Sequence, residues 1–238
     1  MSAPTQAVFL ALVAFVCLAL LVGVGRVSRD LSPTRRLRWR LGTALGLVAW
    51  LGVTAGLARA GFLSNFDVLP PRAPILLGAL TTGTVAFAFS PIGARLAKIL
   101  PLAALVGVQV FRVPLELVLH RLYVEGVLPV QITYTGWNFD IVTGLLAAVL
   151  AVALWRGVGG PRWVAAWNAL GLVLLAIVVG TGLLSLPTPI QQFEPSTVAI
   201  TTFPMIWLPT VLVMAALLGH LLVIRHLRLM SGGAGAKK

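Results

Sequence analysis

Apolar runs near 20 residues long recur along this chain of 238 residues, separated by short links that hold most of its charge. A run of that length matches the number of helical residues needed to cross the hydrocarbon core of a bilayer. Within that core, every backbone N–H and C=O must find its partner inside the segment, which leaves helices or closed barrels. The runs show no strand-like alternation, so the predicted fold class is all-α: a polytopic transmembrane helix bundle of about seven helices. The charge content supports this. Only 10% of residues are charged and 59% are hydrophobic, against about 25% charged in a soluble domain.

The formal net charge of +12 would suggest nucleic acid in a soluble domain. Here the basic residues sit in links between apolar runs, as cytoplasmic loops require, and no nucleic-acid partner is expected. The single cysteine, Cys17, lies inside the first run and permits no intrachain disulfide or CxxC site. No positive n-region precedes the first run, which favours a retained helix over a cleaved leader.

Helices are predicted over about 6–25, 41–63, 73–90, 101–123, 141–155, 163–186 and 203–224, with 91–100 read as a short interfacial helix. The link 26–40 carries six arginines against one aspartate, Asp30. Fourteen of the 18 lysines and arginines fall in 26–40, 95–98, 156–162 and the tail. The positive-inside rule then places the N-terminus outside and the C-terminus in the cytoplasm. Residues 1–230 form one transmembrane domain in this reading, with 231–238 a disordered cytoplasmic tail. The arginine cluster also suits anionic lipid headgroups. Gly42, Gly46, Gly52 and Gly56 offer a weak small-residue packing pattern.

The stretch from Pro101 to Asp140 carries the chemistry. Gln109, Arg112, Glu116, His120 and Tyr123 fall within an arc of roughly 80° at 100° per residue. Ionisable groups at that depth are costly unless they pair or meet water, so they point into the bundle. Arg112 and Glu116, four apart, are read as a buried pair. Pro114 removes a donor and crowds the carbonyl of Val110, so a kink is expected between Arg112 and Glu116. A loop with Gln131, Tyr134, Trp137, Asn138 and Asp140 follows. It either anchors at the headgroups or folds back as a lid over the polar face.

The candidate ligand-binding residues are therefore Arg112, Glu116, His120, Tyr123, Gln131, Tyr134, Trp137, Asn138 and Asp140. They outline a polar cavity facing outward, for a small molecule or a lipid. Other readings stay open: a membrane-embedded enzyme or transporter using Arg112, Glu116 and His120, or an accessory subunit with a membrane-protein partner. No HExxH, GxSxG or similar catalytic motif appears. No metal site and no cofactor is expected. Lys98, Lys237 and Lys238 are the only lysines and all lie in inside segments, none within a predicted spanning helix, which argues against a retinal Schiff base. His120 and His220 are placed at opposite ends of the bundle, too far apart to share a haem iron.

The segment QVFRVPLELVLHRLYVEGVLPVQITYTGWNFDIVTGL and the late stretch FPMIWLPTVLVMAALLGHLLVIRHL resemble a family of uncharacterised bacterial integral membrane proteins. The resemblance implies a multi-pass protein of the bacterial cytoplasmic membrane and brings no activity with it.

Overall fold

The structure, a computed structural model, describes residues 1–235. Helix α1 (Ala3–Val27) starts at Ser2, whose hydroxyl accepts from the Thr5 amide at 3.5 Å, as an N-cap serine does. The next helices are α2 (Pro33–Arg59), α3 (Arg72–Phe89) and the nine-residue α4 (Pro91–Ile99). A continuous helical span, Leu102–Val124, follows. It comprises α5 (Leu102–Gly107), a 3-10 turn (Val108–Phe111) and α6 (Arg112–Val124). The chain ends with α7 (Asp140–Trp155), α8 (Pro161–Leu184), a π turn (Leu208–Val213) and α9 (Met214–Gly235). Of the tail expected to be disordered, 236–238 lie outside the described residues.

Among the described residues, six helical spans are long and apolar enough to cross a membrane, and α7 is a shorter apolar helix. The segments read from the sequence all recur; the last span is shifted toward the C-terminus, to Leu208–Ser231, and three further local differences stand out. The arginine-rich link is mostly helix: α2 begins at Pro33, so Arg35, Arg36, Arg38 and Arg40 occupy its first turns. At 27 residues this helix is roughly 40 Å long, so one end stands clear of a ~30 Å hydrocarbon core.

The second difference concerns Pro114. The irregularity lies at Val108–Phe111, one turn earlier than the expected kink. Proline disturbs the turn that precedes it, because its ring meets the carbonyl four residues back. Pro209 acts in a related way and sits in the π turn. The indole of Trp50 donates to the Thr210 carbonyl there at 3.3 Å, and the Trp207 indole donates to Thr54 Oγ1 at 3.1 Å. The two bonds hold α2 against the irregular turn.

The third difference is α7. Sixteen residues span only about 24 Å. The helix ends at Trp155, 81% exposed at the arginine-rich end, and its first residue, Asp140, stops short of the far side. The segment 125–139 closes the gap by descending into the bundle. Leu128, Gln131, Ile132, Thr133 and Asn138 are all buried. Irregular backbone at such depth is tolerated where protein surrounds it.

Two apolar clusters fill most of the core. One joins Phe9, Leu12 and Val16 of α1 to Phe111, Leu115 and Leu122, with Leu175 of α8 and Leu212. The other, toward the arginine-rich end, joins Val27, Leu96, Val106, Ala147, Val164, Trp167 and Val223. Arg112 follows Phe111 at the seam between them.

Candidate functional site

At that seam lies a continuous polar network. Arg112 is 1% exposed, and its Nη1 lies 3.0 Å from Asp140 Oδ1 at the first residue of α7. The same Nη1 lies 3.2 Å from His220 Nε2 on α9. His220, fully buried, has its Nδ1 2.9 Å from Asn168 Oδ1 on α8, and its ring packs 5.2 Å from that of Trp167. On the other flank, Asn138 Nδ2 donates to both carboxylate oxygens of Glu116 at 2.8 Å and to the Ile132 carbonyl at 3.1 Å. Asn138 Oδ1 in turn accepts the Asp140 amide. Four helices and one descending loop thus meet around one cation.

The helix ends and missing side chains explain how they meet. Asp140 can reach Arg112 only because α7 begins deep in the bundle. His220 sits where α8 comes close: a Cβ on Gly171 would lie 2.4 Å from His220 Cε1. Gly219 does the same for Gln109, whose Nε2 would meet a Cβ there at 2.2 Å. That amide donates to the Ala216 carbonyl at 3.0 Å.

Arg112 pairs with Asp140, and this corrects the expected Arg112–Glu116 pair. Residues four apart share a helix face, but both side chains here find better partners across the bundle. Glu116 takes the Asn138 amide, and the short loop before α7 holds Asn138 and Asp140 together. Arg112 Nε and Nη2 remain buried without a hydrogen-bond partner, as does Gln109 Oε1.

A cavity of about 90 Å³ adjoins the network, in the half of the bundle away from the arginine-rich end. Arg112, Glu116, Asn138 and Asp140 line it, together with aliphatic side chains from α3, α6, α8 and the π turn. The other sequence candidates stand apart from it. Gln131 is buried, but its amide donates to Ser185 Oγ and the Pro195 carbonyl, fastening two loops. His120 stacks on Tyr134 at 4.6 Å and packs near Tyr123 at 5.9 Å, with Tyr123 40% exposed. Trp137 is 60% exposed. These four belong to the bundle's rim, and the loop contributes Ile132 and Asn138 to the cavity, with Asp140 at the start of α7 beside them.

His220, placed by the sequence at the opposite end of the bundle from His120, joins the site instead, and so does Asn168. Each is a lone polar group in an apolar helix, which is itself a signal of an inward role. The last span runs Leu208–Ser231 and not 203–224, which puts His220 near its middle. Among the described residues, no group of three His, Cys, Asp or Glu side chains is arranged to hold a metal ion.

The long apolar helices, the loop folded into them and the buried charge network define an all-helical bundle with six spans long and apolar enough to cross a membrane among the described residues. Within that class, the chain belongs to the family described as a domain of unknown function, DUF8737, which matches residues 70–228. The match includes every residue of the polar network and leaves out α1 and α2. Comparison with curated proteins and with solved structures finds no match.

Proposed function

We propose that this protein is a multi-pass binding protein of the bacterial cytoplasmic membrane. Its ligand would be a small amphipathic molecule or lipid, held in the cavity beside Arg112. The N-terminus and the cavity half face outward in this reading, since the arginine-rich end carries the inside charge bias. The observation that carries it is the state of Arg112. This guanidinium is desolvated and lines a cavity, and two of its nitrogens lack acceptors. A buried donor without a partner is costly, by about 1–3 kcal/mol or more for a charged group. An oxygen acceptor on a ligand removes that cost. The apolar body of such a ligand would lie against Leu115, Leu119, Leu175 and Leu212. The small volume suits the head of a ligand or a compact molecule, since a water needs only about 10–15 Å³.

Val178 also lines the cavity, away from the polar network. Mass spectrometry of the detergent-purified protein is expected to find a bound molecule that Val178→Phe loses while remaining folded. If wild type carries none and Val178→Phe melts higher, the cavity is a packing defect and the network serves structure alone.

A further inference from the structure

At the arginine-rich end, a second and larger space opens. It is an apolar cleft of about 830 Å³ between α1, α2, α4, α5 and α9. Leu20, Trp39, Leu96, Leu105 and Leu218 are among its walls, and Arg26 and Arg38 line it as well. Gly42 also lines it, and a Cβ there would meet nothing within 4 Å. On α1 the lining runs from Phe15 to Arg26, a rise of roughly 16 Å. That is about half of a ~30 Å hydrocarbon core, the depth of one leaflet.

The cations at this end divide into two groups. Arg40 donates to the Gly25 carbonyl at 3.3 Å, Arg95 to Val27 at 3.1 Å, and Arg36 to Leu31 at 3.4 Å. These close off the C-terminal carbonyls of α1 and the turn after it. Arg26 and Arg38 have no such partner among the described residues. The ion pairs found there, Arg112–Asp140 and Arg121–Glu125, lie elsewhere. Asp30 is the only acidic residue in 26–40 and 95–98, which together carry eight lysines and arginines at this end. The cleft therefore combines one leaflet's depth of apolar wall with unpaired positive charge.

We propose that this cleft binds one anionic phospholipid, with its phosphate at Arg26 and Arg38 and its acyl chains along the apolar walls. Charge selects the occupant. A zwitterionic lipid brings its own cation to the two arginines, whereas an anionic headgroup supplies only the missing counter-charge. This lipid site is independent of the Arg112 cavity, which lies in the other half of the bundle.

Trp39 lines the cleft and reports on it. The full chain is reconstituted in vesicles with a rising share of brominated phosphatidylglycerol or brominated phosphatidylcholine. The Trp39 signal is taken as the difference between wild type and Trp39→Phe. Half-quenching is expected at a severalfold lower share of the glycerol lipid. Replacing Arg26→Gln and Arg38→Gln should weaken that preference by about fivefold for each arginine. Arg35→Gln with Arg156→Gln removes the same charge away from the cleft and should leave the preference intact. Gly42→Leu, which fills open space, should reduce quenching by both lipids. Equal quenching by the two lipids in wild type overturns the proposal. So does an equal loss from the Arg35 and Arg156 pair, which would indicate a diffuse basic surface.

Discussion

Arg112 shows how far one side chain's environment departs from its neighbours in sequence. Its charge is answered by a residue 28 positions later, because α7 starts at the arginine's own depth. Removing one member of a buried pair leaves the other charged and unpaired, which costs about 3–5 kcal/mol. Arg112→Met is therefore expected to lower stability by about that amount. A double-mutant cycle with Asp140→Asn, read by thermal melting in detergent, should give a coupling of about 1–3 kcal/mol. The corresponding cycle with Glu116→Gln should give a smaller one, since Glu116 is bonded to Asn138. A larger coupling to Glu116 than to Asp140 would reverse this assignment.

At the scale of elements, close approach and end-to-end fastening decide the arrangement. Gly171→Ala would push a methyl into His220, and overpacking of this kind costs about 1–3 kcal/mol. Gly52→Ala on α2 meets nothing within 4 Å and should stabilise by up to about 1 kcal/mol through helix propensity. Melting of the two variants side by side tests whether the glycines of α8 and α2 differ in this way. A second fastening joins α1 to the end of α6. Glu125 accepts from the Thr5 hydroxyl at 2.6 Å and the Ser2 hydroxyl at 2.7 Å, from the Ser2 amide at 2.6 Å, and from Arg121. Those donors, Thr5 first, hold its carboxyl at about 2 instead of the ordinary 4.5. A carboxylate depressed in the folded state contributes stability above its unfolded pKa and loses it as pH falls through the folded one. The melting difference between wild type and Glu125→Gln should be constant above about pH 5 and vanish as pH falls from about 4.5 to 2. A difference that persists at pH 2, or that is lost above pH 5, would contradict the clasp.

For the whole molecule, the helix order and the basic bias lead to a topology that can be tested directly. With α7 and the loop that descends to it counted as a crossing beside the six long spans, the proposed topology would put the two termini on opposite sides. A periplasm-active reporter fused after Glu194 is expected to be active, and the same reporter after Lys238 silent. Activity at Lys238 would mean an even number of crossings or an inverted bundle. The two spaces divide along the same axis. The Arg112 cavity lies in the half with the long loops, and the lipid cleft lies at the arginine-rich end. The cleft also falls between α1–α2 and the segment 70–228 that matches the family. Lipid bound there would act as packing material between the two.

The sequence alone determined the helical class, the approximate spans and the inward turn of Arg112 and Glu116, and it left open whether the loop with Asn138 and Asp140 folds inward. These follow from local physics: a bilayer's thickness sets the run length, and buried charge is too costly to face lipid. Partner choice was a tertiary matter. Whether Arg112 meets Glu116 or Asp140 depends on how deep α7 begins. His220 and Asn168 join the network through the registers of α8 and α9, which apolar runs with diffuse ends leave free to slide. The rim positions of His120, Tyr123, Tyr134 and Trp137 arise in the same way. A loop that descends as it crosses the bundle turns only some of its polar residues inward, and the direction of each is set by the helices already packed around it.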